Sequence, residues 1–171
     1  MPRFRIALAL IAALACSQPA ERPAAANTAA PAGTPHGMTL SSPAFPNNGS
    51  IPAKYTCDGA NVSPPLTIAA IPPNTKSLAI TVDDPDAPGG SFTHWLVWNI
   101  PASTTTIGEG QHVGTEEMNG FAKPGYGGPC PPNGTHHYVF TLYAMADAAP
   151  PAKGKVVAQT QLIGTYARAS K

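Results

Sequence analysis

The sequence predicts a mainly β protein, an antiparallel β-sandwich with short or absent helices. Short runs of β-prone apolar residues recur along the chain. They are separated by segments rich in Pro and Gly, which account for 21 and 16 of the 171 residues. Pro lacks a backbone donor and Gly tolerates unusual φ angles, so both favour turns over long helices. No helical periodicity persists for three turns.

Six segments are predicted strands. The stretch His94–Ile100 is apolar on both faces, which is typical of a central strand, and His137–Met145 is the longest β-prone run. In chain order the six segments are 38–41, 66–68, 78–82, 94–100, 137–145 and 156–166, the last being one strand or a strand pair. Together they predict a single β domain over residues 38–171.

The first 15 residues are predicted to be an export signal. Arg3 and Arg5 are followed by the apolar run Ile6–Ala15, which is too short to span a bilayer as a helix. The next residue, Cys16, ends a segment similar to a bacterial lipobox. We therefore expect residues 1–15 to be a signal peptide and Cys16 to be lipidated, which would anchor the protein in a membrane facing the periplasm. The alternative is ordinary secretion, with cleavage at an alanine just before Cys16.

Residues 16–37 form a region of low complexity that is rich in Ala and Pro. After Cys16 the segment lacks large apolar side chains, so it cannot form a core, and we expect a flexible tether. The two remaining cysteines, Cys57 and Cys130, are an even number in an exported protein. They are predicted either to form a disulfide or to pack as two buried free thiols.

Charge excludes some classes of partner. Charged residues make up 11% of the chain and the net charge is +1. Such a balance provides no basic surface for nucleic acid and no acidic surface for a basic partner.

The first polar cluster follows an apolar strand. Asp83, Asp84 and Asp86 lie within four positions, and two prolines stiffen the turn that carries them. Carboxylates at a strand end need a partner or solvent. A hairpin would return His94, at the start of the next strand, to the side of Asp84. The other interpretation is an acidic turn that only caps a strand.

The second cluster is the Gly- and Pro-rich loop Gly125–Gly134 and the strand that follows it. Gly-rich backbone can direct several N–H groups at one anion. Strand alternation places His136 and Tyr138 on one face and His137 on the other. The pattern therefore predicts an imidazole and a phenol side by side at a strand end, although either alone is also common in a core.

The two clusters, with His94–Pro101 and Cys57–Leu66, resemble the phosphatidylethanolamine-binding protein family, especially its bacterial Raf-kinase-inhibitor-like branch. The resemblance covers residues 38–166. It implies a β-sandwich with a small pocket for phosphate-type or carboxylate anions, such as a phospholipid head group, and no cofactor. The ligand-binding residues that it implies are Asp84, Asp86, Pro88, His94, Gly128, Pro131, His136 and Tyr138.

Three other functions are compatible with parts of this pattern. A metal-dependent hydrolase would use His94, His136 and Asp84 as a two-histidine, one-carboxylate site, although their spacing matches no standard metal motif. A serine hydrolase is disfavoured because the chain has no Gly-x-Ser-x-Gly sequence. The family label also suggests inhibition of a kinase or, for an exported protein, of a protease.

Residues 146–155 contain adjacent prolines where family members carry a helix, so any lid or partner surface formed there is expected to differ.

Overall fold

The computed structural model describes residues 37–169, and the predicted signal peptide, Cys16 and nearly all of the tether lie outside this range. Strands dominate the described residues, and their only helical segment is a single 3₁₀ turn, Ala53–Tyr55. No helix in this part of the chain is long and apolar enough to cross a membrane. The nine strands are β1 (Thr39–Ser41), β2 (Gly49–Ser50), β3 (Leu66–Ala69), β4 (Ser77–Asp84), β5 (Phe92–Pro101), β6 (Thr106–Ile107), β7 (Thr115–Glu116), β8 (Thr135–Met145) and β9 (Val156–Ala167).

The strands form two sheets. Strands β1, β3 and β6 make a small antiparallel sheet in the order β1-β3-β6. The other six make a larger sheet in the order β2-β9-β8-β4-β5-β7, in which only the pairing of β2 with β9 is parallel. Apolar side chains of both sheets form one core. The prediction of a mainly β sandwich is therefore confirmed.

The core explains the strand pattern. Strand β4 lies between β5 and β8 and is buried along most of its length, as expected for an apolar segment in the middle of a sheet. Leu40 and Ile68 of the small sheet belong to the same buried cluster as Ile80 and Phe140 of the large one. Each large apolar side chain that is fully removed from water contributes roughly 1.5–3 kcal/mol.

Strand β5 departs from the expectation of a central strand covered on both sides. Its neighbour at the edge of the sheet, β7, contributes only two residues. Leu96 and Trp98, which alternate with the buried Trp95 and Val97 along β5, are only half-buried. A β-bulge also interrupts β5, because Val82 pairs with Trp95 whereas the next residue of β4, Asp83, pairs with Thr93. His94 is the extra residue of this bulge. A bulge rotates the side chains on one side of it relative to the other. As a result, His94 and Trp95 are both buried although they are adjacent in sequence.

The C-terminal part of the fold is simple. Strand β9 is one continuous strand paired with β8, so the alternative of a strand pair is wrong. Residues 146–155 form turns and contain no helix, as the adjacent prolines predicted. The three two-residue strands β2, β6 and β7 lie outside the six segments predicted to be strands.

Candidate functional site

Four polar side chains converge where the hairpin of β4 and β5 meets the start of β8. Asp84 ends β4, His94 occupies the bulge in β5, and His136 and Tyr138 share the inner face of β8. All four are buried, with at most 6% of any residue exposed. The alternation of β8 separates them from His137, which is exposed on the opposite face.

Asp84 organises this cluster through both of its carboxylate oxygens. Nδ1 of His136 donates to Oδ2 of Asp84 over 2.7 Å. The backbone N–H of Asp86 donates to the other oxygen, Oδ1, over 2.9 Å. The carboxylate therefore fixes the orientation of the imidazole and the start of the acidic loop at the same time.

His94 is held by the glycine loop. Its Nδ1 lies 2.7 Å from the carbonyl oxygen of Gly127, and the backbone N–H of Gly127 donates to the His94 carbonyl. A carbonyl can only accept, so Nδ1 carries the proton and Nε2 is the nitrogen with a lone pair in the neutral ring. Burial lowers the pKa of His94, although the Gly127 carbonyl and the Asp84 carboxylate partly oppose this effect.

The Tyr138 hydroxyl is the exceptional group of the cluster. It is fully buried and makes no hydrogen bond of standard geometry within residues 37–169, although the Asp84 carboxylate and the Cys130 backbone lie near it. Burial raises the pKa of the phenol well above its usual value, and the nearby Asp84 carboxylate raises it further. The ring packs edge-on against that of His94, with centroids 5.1 Å apart. A neutral hydroxyl donor therefore lies beside His94 and close to the carboxylate.

The loop before β8 is locked to the segment around Cys57. The two cysteines form a disulfide with their Cα atoms 5.4 Å apart. The N–H of Gly128 donates to Oδ1 of Asn61 over 2.7 Å, and the Tyr126 hydroxyl donates to the Tyr55 carbonyl over 3.0 Å. The disulfide, these two hydrogen bonds and the hydrogen bond between Gly127 and His94 all hold the same short loop. The loop that borders the cluster is therefore preorganised.

The other predicted site residues lie in the two loops that flank the buried cluster. Asp86 is exposed and uses its Oδ2 to accept from both the backbone N–H and Nδ1 of His137, over 2.8 and 2.7 Å. These two bonds lower the pKa of the Asp86 carboxyl. Pro88 is exposed in the same loop, whereas Gly128 and Pro131 are buried before β8. The buried cluster therefore includes neither Asp86 nor Pro88.

Three residues that shape the site were not among the predicted ligand-binding residues. Gly127 provides the carbonyl for His94, Asn61 binds the backbone of Gly128, and the Phe121 ring packs against His94 with centroids 5.4 Å apart. Asn61 lies in the segment Cys57–Leu66, which carried part of the family resemblance. Its positive φ of 56° is a backbone property that no composition pattern reveals.

Two surface clefts differ in whether they include residues of the predicted site. A cleft of about 220 Å³ is bordered by Phe121, Gly127, Gly128 and the disulfide. A larger one, about 780 Å³, is lined by Asp58, Asn133, Tyr166 and Arg168, and contains none of the predicted site residues. Among residues 37–169, no three His, Cys, Asp or Glu side chains are arranged to hold a metal ion. The smaller cleft shares Gly128 with the predicted site, so it is the one relevant to the cluster.

Comparison with known proteins agrees with this architecture. The family model of the phosphatidylethanolamine-binding protein family matches residues 41–167, and the chain belongs to this family. A protein of Pyrococcus horikoshii called UPF0098 is 44% identical over 148 residues, which are 72% of this chain and 74% of that protein. A UPF0098 protein of Methanothermobacter thermautotrophicus is 41% identical over 150 residues, covering 77% and 99% of the two chains.

Two solved structures have the same fold. A crystal structure described as a putative phosphatidylethanolamine-binding protein homologue from Chlamydia trachomatis has a TM-score of 0.73 and 32% identity, covering 78% of this chain and 99% of that one. The Escherichia coli protein YbcL, described as a new member of the mammalian family, has a TM-score of 0.72 and 29% identity, covering 78% and 100%. The predicted family and fold are therefore confirmed.

Proposed function

We propose that this protein is an exported binding protein whose buried cluster takes a small phosphate-type or carboxylate anion. The observation that carries the proposal is the Tyr138 hydroxyl, a buried donor without a partner. Leaving such a group unsatisfied costs about 1–3 kcal/mol, and an anionic oxygen would remove that cost. Its position between His94 and the Asp84–His136 pair supports a ligand that interacts with all of them.

The histidines define what the ligand must offer. Both rings donate from Nδ1 to protein oxygens, so each neutral ring presents Nε2 as an acceptor. An oxyanion that carries a proton, such as a hydrogen phosphate, can accept from Tyr138 and donate to a histidine. A fully deprotonated anion would instead require a histidine to take up a proton. Either arrangement gives a small, strongly polar oxyanion an advantage over a neutral ligand.

The family name adds the head group of a phospholipid as one source of this anion. Free phosphate and small carboxylates share the same chemistry. Because the cluster is buried, only a compact group can bind in it, and the cleft lined by Gly127 and Gly128 is adjacent through the contact of Gly127 with His94. We propose a binding role and no catalytic one, since Asp84, His94 and His136 are held in place by hydrogen bonds and the Tyr138 hydroxyl is a donor left for a ligand.

The conservative substitution Tyr138→Phe tests this proposal. It deletes only the hydroxyl, so the ligand-free protein should be as stable as the original or more stable. The rise in melting temperature with phosphate, phosphoethanolamine or acetate should disappear, because a ligand raises the melting temperature only when it binds the folded state at the concentration used. The matched control is His137→Ala on the opposite face, which should retain the ligand effect.

The outcomes separate the rival functions. An unchanged ligand effect in Tyr138→Phe would refute the proposed site, and so would the absence of an effect from every anion in the original protein. A response to phosphoethanolamine but not to phosphate would identify a head group as the source. Stoichiometric zinc or iron in the purified protein would favour the metal-dependent hydrolase that uses His94, His136 and Asp84.

We also propose that the domain is attached to a membrane through a lipid on Cys16, which is followed by the tether of residues 17–37. The apolar run before Cys16 and its lipobox-like flank support this proposal. Substitution Cys16→Ser should move the protein from the membrane fraction to the soluble one in cells that express the full chain. An unchanged distribution would refute lipidation and favour ordinary secretion.

A further inference from the structure

Strand β9 leaves one side of the large sheet open. It pairs with β8 along its length, whereas on its other side β2 covers only two residues near its C-terminal end. Just before them, the N–H of Ile163 donates to the Asn47 side chain and its carbonyl accepts from the backbone of Asn48. Within residues 37–169, no strand pairs with this side of residues 156–162.

The open side of β9 presents backbone groups that need a partner or water. In an antiparallel sheet, the N–H and carbonyl groups of every second residue point to the same side of the strand. Because Ile163 directs both groups away from β8, Gln161 and Gln159 do so as well. Both glutamines are exposed, and their backbones make no bond on that side within the described part of the chain. The edge can therefore bind another extended backbone.

The side chains of β9 lack the features that usually protect an exposed edge. Natural proteins place charged residues or Pro on such strands. From Val156 to Ala167, β9 contains neither. Val156 and Val157 are 39% and 38% exposed, and they are two of the four large apolar side chains exposed in residues 37–169. An uncharged edge that also exposes apolar side chains is typical of a surface that pairs with another strand.

We propose that β9 pairs with β9 of a second copy of this chain, antiparallel and about a two-fold axis at Gln159. Gln159 would face its counterpart, Val157 would face Gln161, and the two large sheets would become continuous. A second copy suits this edge because only uncharged side chains meet across the axis, so no like charges are opposed. The pairing uses the same edge in both copies and therefore ends at a dimer. It is independent of the proposed anion site.

The ends of the open stretch favour this register. Asn47 and Asn48 occupy the edge beside Ile163, so a partner strand can extend only to residue 162. At the other end, the backbone N–H of Lys155 is bound by Asp147, and β9 begins at the next residue. An axis at Gln159 lies at the centre of residues 156–162 and keeps the two Lys155 side chains apart.

Sedimentation equilibrium of the purified protein, from about 1 µM to about 1 mM, tests the pairing. We expect a reversible dimer, because one pair of strands buries less than the roughly 1,200–2,000 Å² of a stable interface. Gln159→Lys should raise the dissociation constant of the dimer about tenfold, since it places two like charges opposite each other. Thr67→Lys is the matched control, because it adds the same charge at an exposed position of β3. It should leave the constant unchanged.

Two further variants test the geometry. Gln161→Pro removes one N–H from the open side, where edge strands tolerate Pro, so it should weaken the dimer by a different means from an added charge. Gln159→Cys should form a covalent dimer on mild oxidation. Facing residues of such a pair have Cα atoms about 5.5 Å apart, which is within the range of a disulfide. Thr67→Cys is the control for cross-linking.

Each result has a distinct meaning. A monomer at every concentration would overturn the proposal. A dimer that persists unchanged in both Gln159→Lys and Gln161→Pro would overturn pairing through β9. Cross-linking of Gln159→Cys that is no stronger than that of Thr67→Cys would overturn the axis at Gln159. None of these results bears on the anion site, which the ligand-dependent melting temperature tests separately.

Discussion

Oδ2 of Asp84 lies 2.7 Å from Nδ1 of His136, and this contact joins two buried side chains that are 52 positions apart in the sequence. It connects the end of β4 to the start of β8 and determines which nitrogen of His136 faces the rest of the cluster. The same carboxylate also accepts the backbone N–H of Asp86. Asp84 is therefore the residue on which the orientation of the site depends.

Substitution Asp84→Asn should destabilise the fold by about 1–3 kcal/mol, the usual cost of an unmet buried donor. Each oxygen of Asp84 accepts from a different N–H group, and an amide offers only one acceptor. Urea unfolding of the two proteins measures the difference.

Asp86→Asn is the control for this experiment. A single oxygen of Asp86 accepts both bonds from His137 at an exposed position, so an amide can preserve them. We expect a loss below about 1 kcal/mol. Equal losses in the two variants would contradict the role assigned to Asp84.

The stability of the ligand-free protein should decrease as the pH falls below about 6.5, the ordinary pKa of histidine. Burial lowers the pKa of His94 in the folded state, so the unfolded chain takes up this proton at a higher pH than the folded one. The contribution is present at neutral pH and is lost as the pH falls towards the lowered pKa. Urea titrations at several pH values should show a shallower decrease in His94→Gln than in the original protein.

Anion binding should show the opposite dependence on pH. A bound anion favours the protonated form of His94, so the affinity for sulfate, which keeps its charge in this range, should increase from about pH 8 to about pH 5.5. Calorimetry measures this dependence directly. An affinity for sulfate that is constant with pH would show that His94 does not take up a proton on binding.

Substitution Gly128→Ala should destabilise the protein by about 1–3 kcal/mol, as overpacking of a well-packed site does. The added Cβ would approach the Tyr55 carbonyl, Asn61 Oδ1 and the Thr56 Cα to within 2.5–2.8 Å. Gly37→Ala is the control, because nothing lies within 4 Å of a Cβ there. Thermal unfolding of both variants, with and without phosphate, would reveal whether the loop still supports the site.

Removing the disulfide with Cys57→Ser and Cys130→Ser together should cost about 2–4 kcal/mol, because it frees a loop between residues 73 positions apart. Reducing agent should have a similar effect on the original protein and none on the double variant. Mass spectrometry without reductant provides the complementary check, since two free thiols would mean that the protein lacks the bond.

Much of this arrangement could be predicted from local patterns. The long apolar segments became β4, β5, β8 and β9, and the two-residue period of β8 placed His136 and Tyr138 together. Period and composition suffice here because burial on one face dictates the register of a strand.

What the sequence could not predict depends on contacts between distant residues. The bulge that buries His94 beside Trp95 breaks the alternation and arises from the pairing with β4. The bonds between Asp86 and His137 join two exposed side chains that are 51 positions apart, so no local pattern reveals them. Phe121 was missed because an exposed aromatic residue in a Gly-containing turn carries no periodic signal.

The disulfide also changes what a protease can do to this molecule. Cys57 and Cys130 enclose β3 to β7 and the exposed turn around Phe121. One cut anywhere between the two cysteines leaves both fragments covalently joined. Nicked protein should therefore migrate as a single species on a gel without reductant and separate into two bands only when the bond is reduced. A cut in the exposed turn around Phe121 would open that turn beside the proposed anion site without releasing any part of the chain.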